Sequence, residues 1–373
     1  MLVSIIIPTS NASDTIFEVL DSIRKQDYKE IEIIVVDNGS IDSTGEIVKK
    51  MKEEMNLPLR YMYFKDKLGH AGAINKGIEE SKGDVILILH DDMVLGEENW
   101  ISSMLKAIEN DNVGIGSSLL VTPPEKLSKV NRVFSYIYIL GWHRKIHGDI
   151  YKVPFSGLNN DMIKRKVIEK VGLPSNSYKF GMHDLDFSER VRRSGYDIIL
   201  NPMVHVEHLL SFYQRSLKSH LKKAWQYGFP SFIILKRYKY LPNLDNLLFF
   251  LNFILFSLSF FLNFNFLFAI SILFSVLTFP FEQPNFYGKK RYVLRSKKLI
   301  ISYLIGLALF IISRNLFFLG VGGSLVAYRS ISNSITSYRE LKDPTISLAV
   351  LFLYPVWALI NGFSLLVGIF KFL

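Results

Sequence analysis

Ile31-Glu-Ile-Ile-Val-Val36, followed at once by Asp37-Asn-Gly-Ser40, is the stretch that decides the fold. Five of its first six residues are β-branched and apolar, the pattern of a strand buried on both faces of a parallel sheet, and the polar tetrad stops it in a turn. Two other runs behave alike. Met1 to Ile7 is apolar until Pro8, with neither the basic flank nor the length of a signal peptide, and Val85 to Leu89 ends in His90-Asp91-Asp92. Leu59 to Phe64 is a weaker strand. Helical periodicity fills the gaps. Ile16 to Ile23 follows a cluster of capping residues at Asn11 to Thr15, a second helix opens at Ser43-Thr44 and runs through Met55, and a third spans Ala71 to Ser81. Strands alternating with helices over the first ninety residues predict a three-layer α/β sheet that is parallel at its core. Such sheets bind ligands beyond the carboxyl ends of their strands. Pro8-Thr9, Asp37-Asn38 and Asp91-Asp92 all follow strands, so they are expected to line one crevice.

Composition splits the chain. Of 373 residues, 49% are hydrophobic and none is cysteine, which excludes disulfide scaffolds, cysteine-ligated zinc and iron–sulfur sites, and thiol nucleophiles. The apolar excess lies in the last third. Residues 209–243 carry seven Lys/Arg and no acid, interleaved with Phe, Tyr and Trp, which predicts an amphipathic segment on a membrane surface. Residues 244–281 suit two short apolar helices turning near Asn263 or Asn265, Leu299 to Ala327 suits a third span, and Ile346 to Phe370 a fourth. Arg314 leaves the third open between a spanning and a re-entrant helix. Basic residues at 209–243 and 282–298 place those segments on the cytoplasmic side. The expected organisation is a catalytic domain over 1–210, an interface segment over 211–243 and an all-α transmembrane domain of about four helices over 244–373.

The carboxylates carry the chemistry. Neither a P-loop nor a G-x-G-x-x-G follows the first strand, so the usual nucleoside triphosphate and dinucleotide motifs are absent. Adjacent acids such as Asp91-Asp92 at a strand end repel one another unless a cation or hydrogen bonds compensate. Hard divalent ions held by one or two carboxylates and by substrate phosphates meet that need. A second acidic cluster is His183-Asp184-Leu185-Asp186, and His205 and His208 follow Pro202.

In their order and spacing these motifs resemble the family 2 glycosyltransferases of the GT-A fold, over Val3 to about His208. Ser4-Ile-Ile-Ile-Pro8-Thr-Ser-Asn11 is similar to the family's opening strand and turn, and Val35-Val-Asp37-Asn-Gly-Ser40-Ile-Asp42-Ser-Thr44 to its V-D-[DN]-G-S-x-D-x-T signature. Gly69-His-Ala-Gly72-Ala-Ile-Asn75-Lys-Gly77 with Ser81-Lys-Gly83-Asp84 resembles its third stretch. The resemblance implies donor contacts from Pro8, Thr9, Asn11, Asp37, Asn38, Gly72, Asn75 and Asp91, with Asp37 on the nucleotide base. It implies a divalent cation, Mg²⁺ or Mn²⁺, held by Asp92 with a late histidine, His208. Ser156, Gly157, His183, Asp186 and Arg190 fall on the acceptor side, and Asp184 takes the place of the general base. Two positions depart from the pattern: His90 and His183 stand where acidic residues are usual. Structural roles stay open beside these. Asp37 and Asp42 also suit turn and helix caps, Asp186 and Arg190 an i,i+4 ion pair, and His205 a plain strand position.

The resemblance and the apolar tail together imply an inverting, single-sugar, membrane-bound hexosyltransferase of a prokaryote. Its multi-pass anchor would hold the catalytic domain at the cytoplasmic face of the cell membrane. The partners implied are a nucleotide-sugar and a lipid-linked or otherwise membrane-presented acceptor, and no nucleic acid. Two alternatives remain. One is a processive polysaccharide synthase, against which Lys222 to Gly228 lacks the Q-x-x-R-W sequence of those relatives. The other is a catalytically weak nucleotide-sugar-binding scaffold.

Overall fold

The computed structural model describes residues 1–54, 58–122, 127–138, 148–178, 181–209, 216–239, 246, 247, 249–251, 253, 254 and 325–372. It divides into two compact units. The first holds every strand among the described residues. Its half from the N-terminus alternates β1 (Val3–Thr9), α1 (Ile16–Arg24), β2 (Ile31–Asp37), α2 (Thr44–Glu54), β3 (Leu59–Tyr63), α3 (His70–Glu79) and β4 (Val85–Leu89). The apolar runs are therefore strands as the sequence predicts. β1 and β4 are buried at every position, and β2 is nearly so. Strands β3-β2-β1-β4 are parallel neighbours in that order. Helix α1 buries Ile16, Val19, Leu20 and Ile23, one face at helical spacing. Helix α3 packs so closely on β1 that a Cβ at Gly77 would overlap Ile6 Cγ2.

Beyond β4 the sheet becomes mixed. Continuing the chain are β5 (Met93–Leu95), α4 (Trp100–Ala107), β6 (Val113–Val121), β7 (Tyr151–Lys152), β8 (Asn160–Lys164), α6 (Arg165–Val171), α7 (His183–Arg193) and β9 (Asp197–His208). The order is β3-β2-β1-β4-β8-β6-β9-β5, with β7 paired to β9. β8 runs antiparallel to both β4 and β6, and β9 lies parallel to β6. The β6–β9 register jumps from Ser118–Asn201 to Leu119–His205, so β9 carries three extra residues beginning at Pro202. That bulge lets the end of β9 pair with β5, Met93 opposite His208. One core of Ile6, Ile34, Ile86, Ile88, Ile163, Phe187 and Val191 joins the two halves of the sheet to α7.

The second unit is helical: α5 (Lys129–Tyr138), α8 (Leu217–Gly228), α9 (Ser231–Tyr238), α10 (Leu325–Leu341) and α11 (Pro344–Phe372). Helix α5, inside the 1–210 range read as one domain, groups here instead. Phe134, Ala224, Val350, Tyr354 and Trp357 form its core. His220 stacks on Phe134 with ring centroids 4.1 Å apart, and its Nε2 lies 3.0 Å from Asn131 Oδ1. Burial pushes this imidazole down to about 3, so it is neutral. Pro355 lies inside α11 and cannot donate to the carbonyl of Leu351; the Ser330 hydroxyl donates to it instead.

Pro344–Lys371 is the one helix, among the described residues, long and apolar enough to cross a membrane. The spans expected over 244–281 and 299–327 and the question over Arg314 lie outside the described residues, apart from a few positions at 246–254 and 325–327.

Candidate active site

Because β1, β2 and β4 are parallel neighbours, their carboxyl ends share one edge and the loops after them meet. Asp91 is tied to the loop after β1: its Oδ2 accepts from Thr9 Oγ1 at 2.8 Å and from Ser10 N at 3.2 Å, and its carbonyl from Thr15 Oγ1 at 2.7 Å. Burial, with the Asp92 charge beside it, pushes the Asp91 carboxyl up to about 7. Asp92 is 3% exposed, and its Oδ2 lies 3.3 Å from His208 Nε2. The β5–β9 pairing makes this contact, reinforced by Leu209 N donating to the Asp92 carbonyl.

A metal is implied by the family pattern, and the fit rests on this pair. One carboxylate and one imidazole face each other, both nearly buried, and buried His208 Nδ1 has no hydrogen-bond partner among the described residues. No group of three His, Asp or Glu among the described residues could hold a metal. Asp92 and His208 would thus be the two ligands offered by the described residues, with substrate phosphates and water completing the shell, as Mg²⁺ and Mn²⁺ sites permit.

Around the nucleoside side, the polar residues are held in a network. Asp37 is fully buried; Oδ1 accepts from Ser40 N at 2.8 Å and Oδ2 from Tyr61 OH at 2.6 Å, which with burial raises the Tyr61 pKa. Gly39, at φ 78°, allows that turn. Asn11 Oδ1 accepts from Ile41 N, and Asn38 Oδ1 from Leu68 N. Asp42 accepts from Ser13 N, Thr44 N and Thr44 Oγ1, the structural role left open for it. Pro8, in β1, pairs with Val36, and Asn75 in α3 donates to Pro174 O at 2.9 Å and Asn176 Oδ1 at 3.3 Å. Gly72 sits where a Cβ would be 3.0 Å from that of Leu68.

Helix α7 presents the second acidic cluster. Burial raises the Asp184 pKa, while the His183 charge and the Leu185 N–H at 2.9 Å oppose the rise. Asp186, fully buried, accepts from Tyr178 OH at 3.0 Å and from Arg190 Nε at 3.1 Å; Arg190 also donates to the carbonyls of Val171 and Leu173. This is the i,i+4 ion pair, and it fastens α7 to the end of α6. Ser156 N donates to Ser188 Oγ, one turn after Asp184, while Ser156 Oγ is buried without a partner among the described residues. A Cβ at neighbouring Gly157 would be 3.0 Å from the Asn159 side chain. His205 is a strand residue bonded to Glu97, as its position in β9 requires.

Two residues of this site escape the sequence reading. Asp161 in β8 is fully buried, with Oδ1 accepting from Ser117 Oγ and Oδ2 from Asn159 N at 2.9 Å. Burial pushes its carboxyl up to about 6, and the Asp184 charge adds to the rise, which places the two acids in electrostatic reach. A carboxylate directly ahead of the apolar pair Met162-Ile163 was the available signal. His70, first residue of α3, lies against both His90, 4.7 Å between centroids, and His183, 5.2 Å. That contact was not legible, but it brings the end of β4 and the start of α7 against one imidazole.

A mixed α/β sheet with buried acids at its parallel strand ends is thus the class that fold and site define. Residues 4–172 match the model of Glycosyl transferase family 2. Among curated relatives, "Glycosyltransferase GlyG" of Streptococcus pneumoniae is 33% identical over 114 residues, covering 31% of this chain and 37% of that protein. "UDP-Glc:alpha-D-GlcNAc-diphosphoundecaprenol beta-1,3-glucosyltransferase WfaP" of Escherichia coli is 36% identical over 104 residues, 28% of this chain and 38% of that one. The chain therefore spans under two fifths of the length of these relatives. Among solved structures, "Mannosyltransferase PcManGT from Pyrobaculum calidifontis in complex with GDP-Man and Mn2+" shares the fold, with TM-score 0.52 and 17% identity over 99% of this chain and 86% of that chain.

Proposed function

We propose that the chain is an inverting glycosyltransferase that moves one sugar from a nucleotide-sugar to a lipid-linked acceptor at the cytoplasmic face of a membrane. The observation that carries the reading is the His90–His70–His183 contact, which links the loop that bears Asp92, itself paired with His208, to the start of α7, where Asp184 lies. The diphosphate end of a donor and a general base need to face the same sugar, and this geometry supports that. Support for the acceptor comes from WfaP, whose name specifies a diphosphoundecaprenol-linked sugar, and from the apolar helix α11.

In this reading Pro8, Thr9, Asn11, Asp37 and Asn38 surround the nucleoside, Gly72 and Asn75 shape the donor side, and Asp91 holds the loop after β1 against it. Asp92 and His208 would hold a divalent cation on the diphosphate; Mn²⁺ is the ion named with GDP-Man in PcManGT. Such an ion supplies charge stabilisation to the departing diphosphate. Asp184 accepts the proton of the acceptor hydroxyl as its oxygen attacks the anomeric carbon from the face opposite the leaving group. Burial raises the Asp184 pKa, and a carboxylate shifted in that direction is a better proton acceptor than an ordinary one. Ser156, Gly157 and His183 flank the acceptor, while Asp186 and Arg190 keep α7 in position. A panel of UDP-, GDP- and dTDP-sugars with Mn²⁺ or Mg²⁺ and a polyprenyl-lipid extract tests this. Entry of labelled sugar into the lipid phase from one nucleotide is the expected result. Donor binding with no transfer to any lipid or soluble acceptor would instead support the scaffold reading.

A further inference from the structure

The Asp92–His208 pair depends on a short ladder. β5 has three residues, paired Met93 to His208, Val94 to Glu207 and Leu95 to Val206. β9 enters this ladder directly after its bulge, where Asn201 Oδ1 accepts from Met203 N at 3.1 Å. A strand that has just shifted its register against one neighbour needs something to fix it against the next. A slip of one residue would turn His208 to the other face of the sheet.

Glu97 is placed to prevent that slip. Its carboxylate takes two N–H groups of His205: Oε2 accepts from the backbone N at 2.9 Å, and Oε1 accepts from Nδ1 at 2.5 Å. Beside it, Gly96 N donates to the His205 carbonyl at 2.9 Å. The imidazole lies so close over Gly96 that a Cβ there would be 2.5 Å from its Cε1 and Nε2. The grip is itself anchored on α1. Gln26, 1% exposed, donates to the Glu97 carbonyl at 2.8 Å, and Ser22 Oγ accepts from Leu95 N at 3.1 Å. Backbone pairing alone tolerates any register, but this side-chain contact selects one. A slip of one residue would bring Val204 or Val206 to Glu97, and a slip of two Met203 or Glu207, none of which carries a side-chain N–H.

We infer that Gly96, Glu97 and His205 form a latch that holds His208 opposite Asp92, with Glu97 and His205 as positioning residues for the cation of the donor site. The inference rests on the reading above in which Asp92 and His208 hold that cation. The latch closes one end of the three-pair ladder and the Asp92–His208 pair lies at the other, so it acts through the register of β9.

Titration calorimetry of UDP, GDP and dTDP into the full chain in detergent, over a series of Mn²⁺ concentrations, tests it. For the nucleotide that binds, the Mn²⁺ concentration giving half-maximal binding is expected to rise about tenfold in Glu97→Ala. Glu97→Gln restores the wild-type value, because its amide can still accept from the His205 backbone N–H and donate to the ring. Gly96→Ala, which displaces the ring, moves the value as Glu97→Ala does and decides the matter alone if Glu97→Ala fails to fold by thermal melting. Adding Glu97→Ala to His208→Asn produces no further rise, since the latch acts through His208. A Glu97→Ala protein that melts lower yet keeps the wild-type Mn²⁺ dependence, or that adds a separate factor to His208→Asn, overturns the latch and leaves the donor-site reading standing. Wild-type nucleotide binding that ignores Mn²⁺, or no nucleotide binding at all, overturns that reading and the latch with it.

Discussion

Replacing Asp161 by Asn removes a buried carboxyl whose ionisation the fold opposes. Unfolded, an aspartate titrates near 3.8; in the fold this one titrates at about 6. Between those values the unfolded chain has released the proton and the folded chain has kept it, so stability falls as pH rises through the window. About two units at ~1.36 kcal/mol each give roughly 3 kcal/mol, absent below the unfolded pKa and complete above pH 6. Asn keeps the shape, and the Ser117 hydroxyl can turn to accept from the new amide, which limits the offsetting cost. The variant is therefore expected to gain on wild type progressively from pH 4 to pH 6 and to keep that gain at pH 7. For a unit of this size ~3 kcal/mol corresponds to about 6–12 °C in Tm. Melting curves from pH 4 to 8 check this. A Tm difference that does not change across that range would refute the reasoning.

Other perturbations separate scaffold from site. Arg190→Met leaves fully buried Asp186 without its cation and is expected to cost about 3–5 kcal/mol in denaturant unfolding, with donor affinity unchanged in the folded fraction. Ser330→Ala exposes the Leu351 carbonyl that Pro355 already leaves without its helical donor, a loss of about 1–3 kcal/mol measured by thermal melting in detergent. Chelation with EDTA abolishes transfer and added Mn²⁺ restores it; in His208→Asn the Mn²⁺ concentration for half-maximal activity rises about tenfold or more.

The parallel half of the first unit was legible because its strands are uninterrupted apolar runs that stop at Pro8, Asp37 and His90, signals that are local. Even the start of α3 differs by a single residue, His70 in place of Ala71. The antiparallel half was not. Nothing local says that β9 bulges at Pro202, pairs with β5 and so brings His208 to Asp92 across more than a hundred residues. His208 was reached by resemblance, not by spacing. Asp161 was missed because a lone acid in a five-residue strand looks like an edge position until the sheet order places β8 between β4 and β6. In the second unit, residues 329–345 are nearly charge-balanced in sequence, yet the chain is helical to Leu341. Ser330, Asn333 and Ser337 are buried and bond to backbone or to neighbouring serines, so no apolar stripe announces the helix.

The most direct test of the central claim compares wild type with Asp184→Asn in full-length protein with Mn²⁺, polyprenyl lipid and a labelled nucleotide-sugar. Nucleotide binding and sugar entry into the lipid phase are measured on the same samples. The account predicts equal nucleotide binding and a loss of transfer of about 10²-fold or more in the variant. Transfer that survives the substitution undiminished would contradict the assignment of Asp184 as the base and, with it, the proposed mechanism.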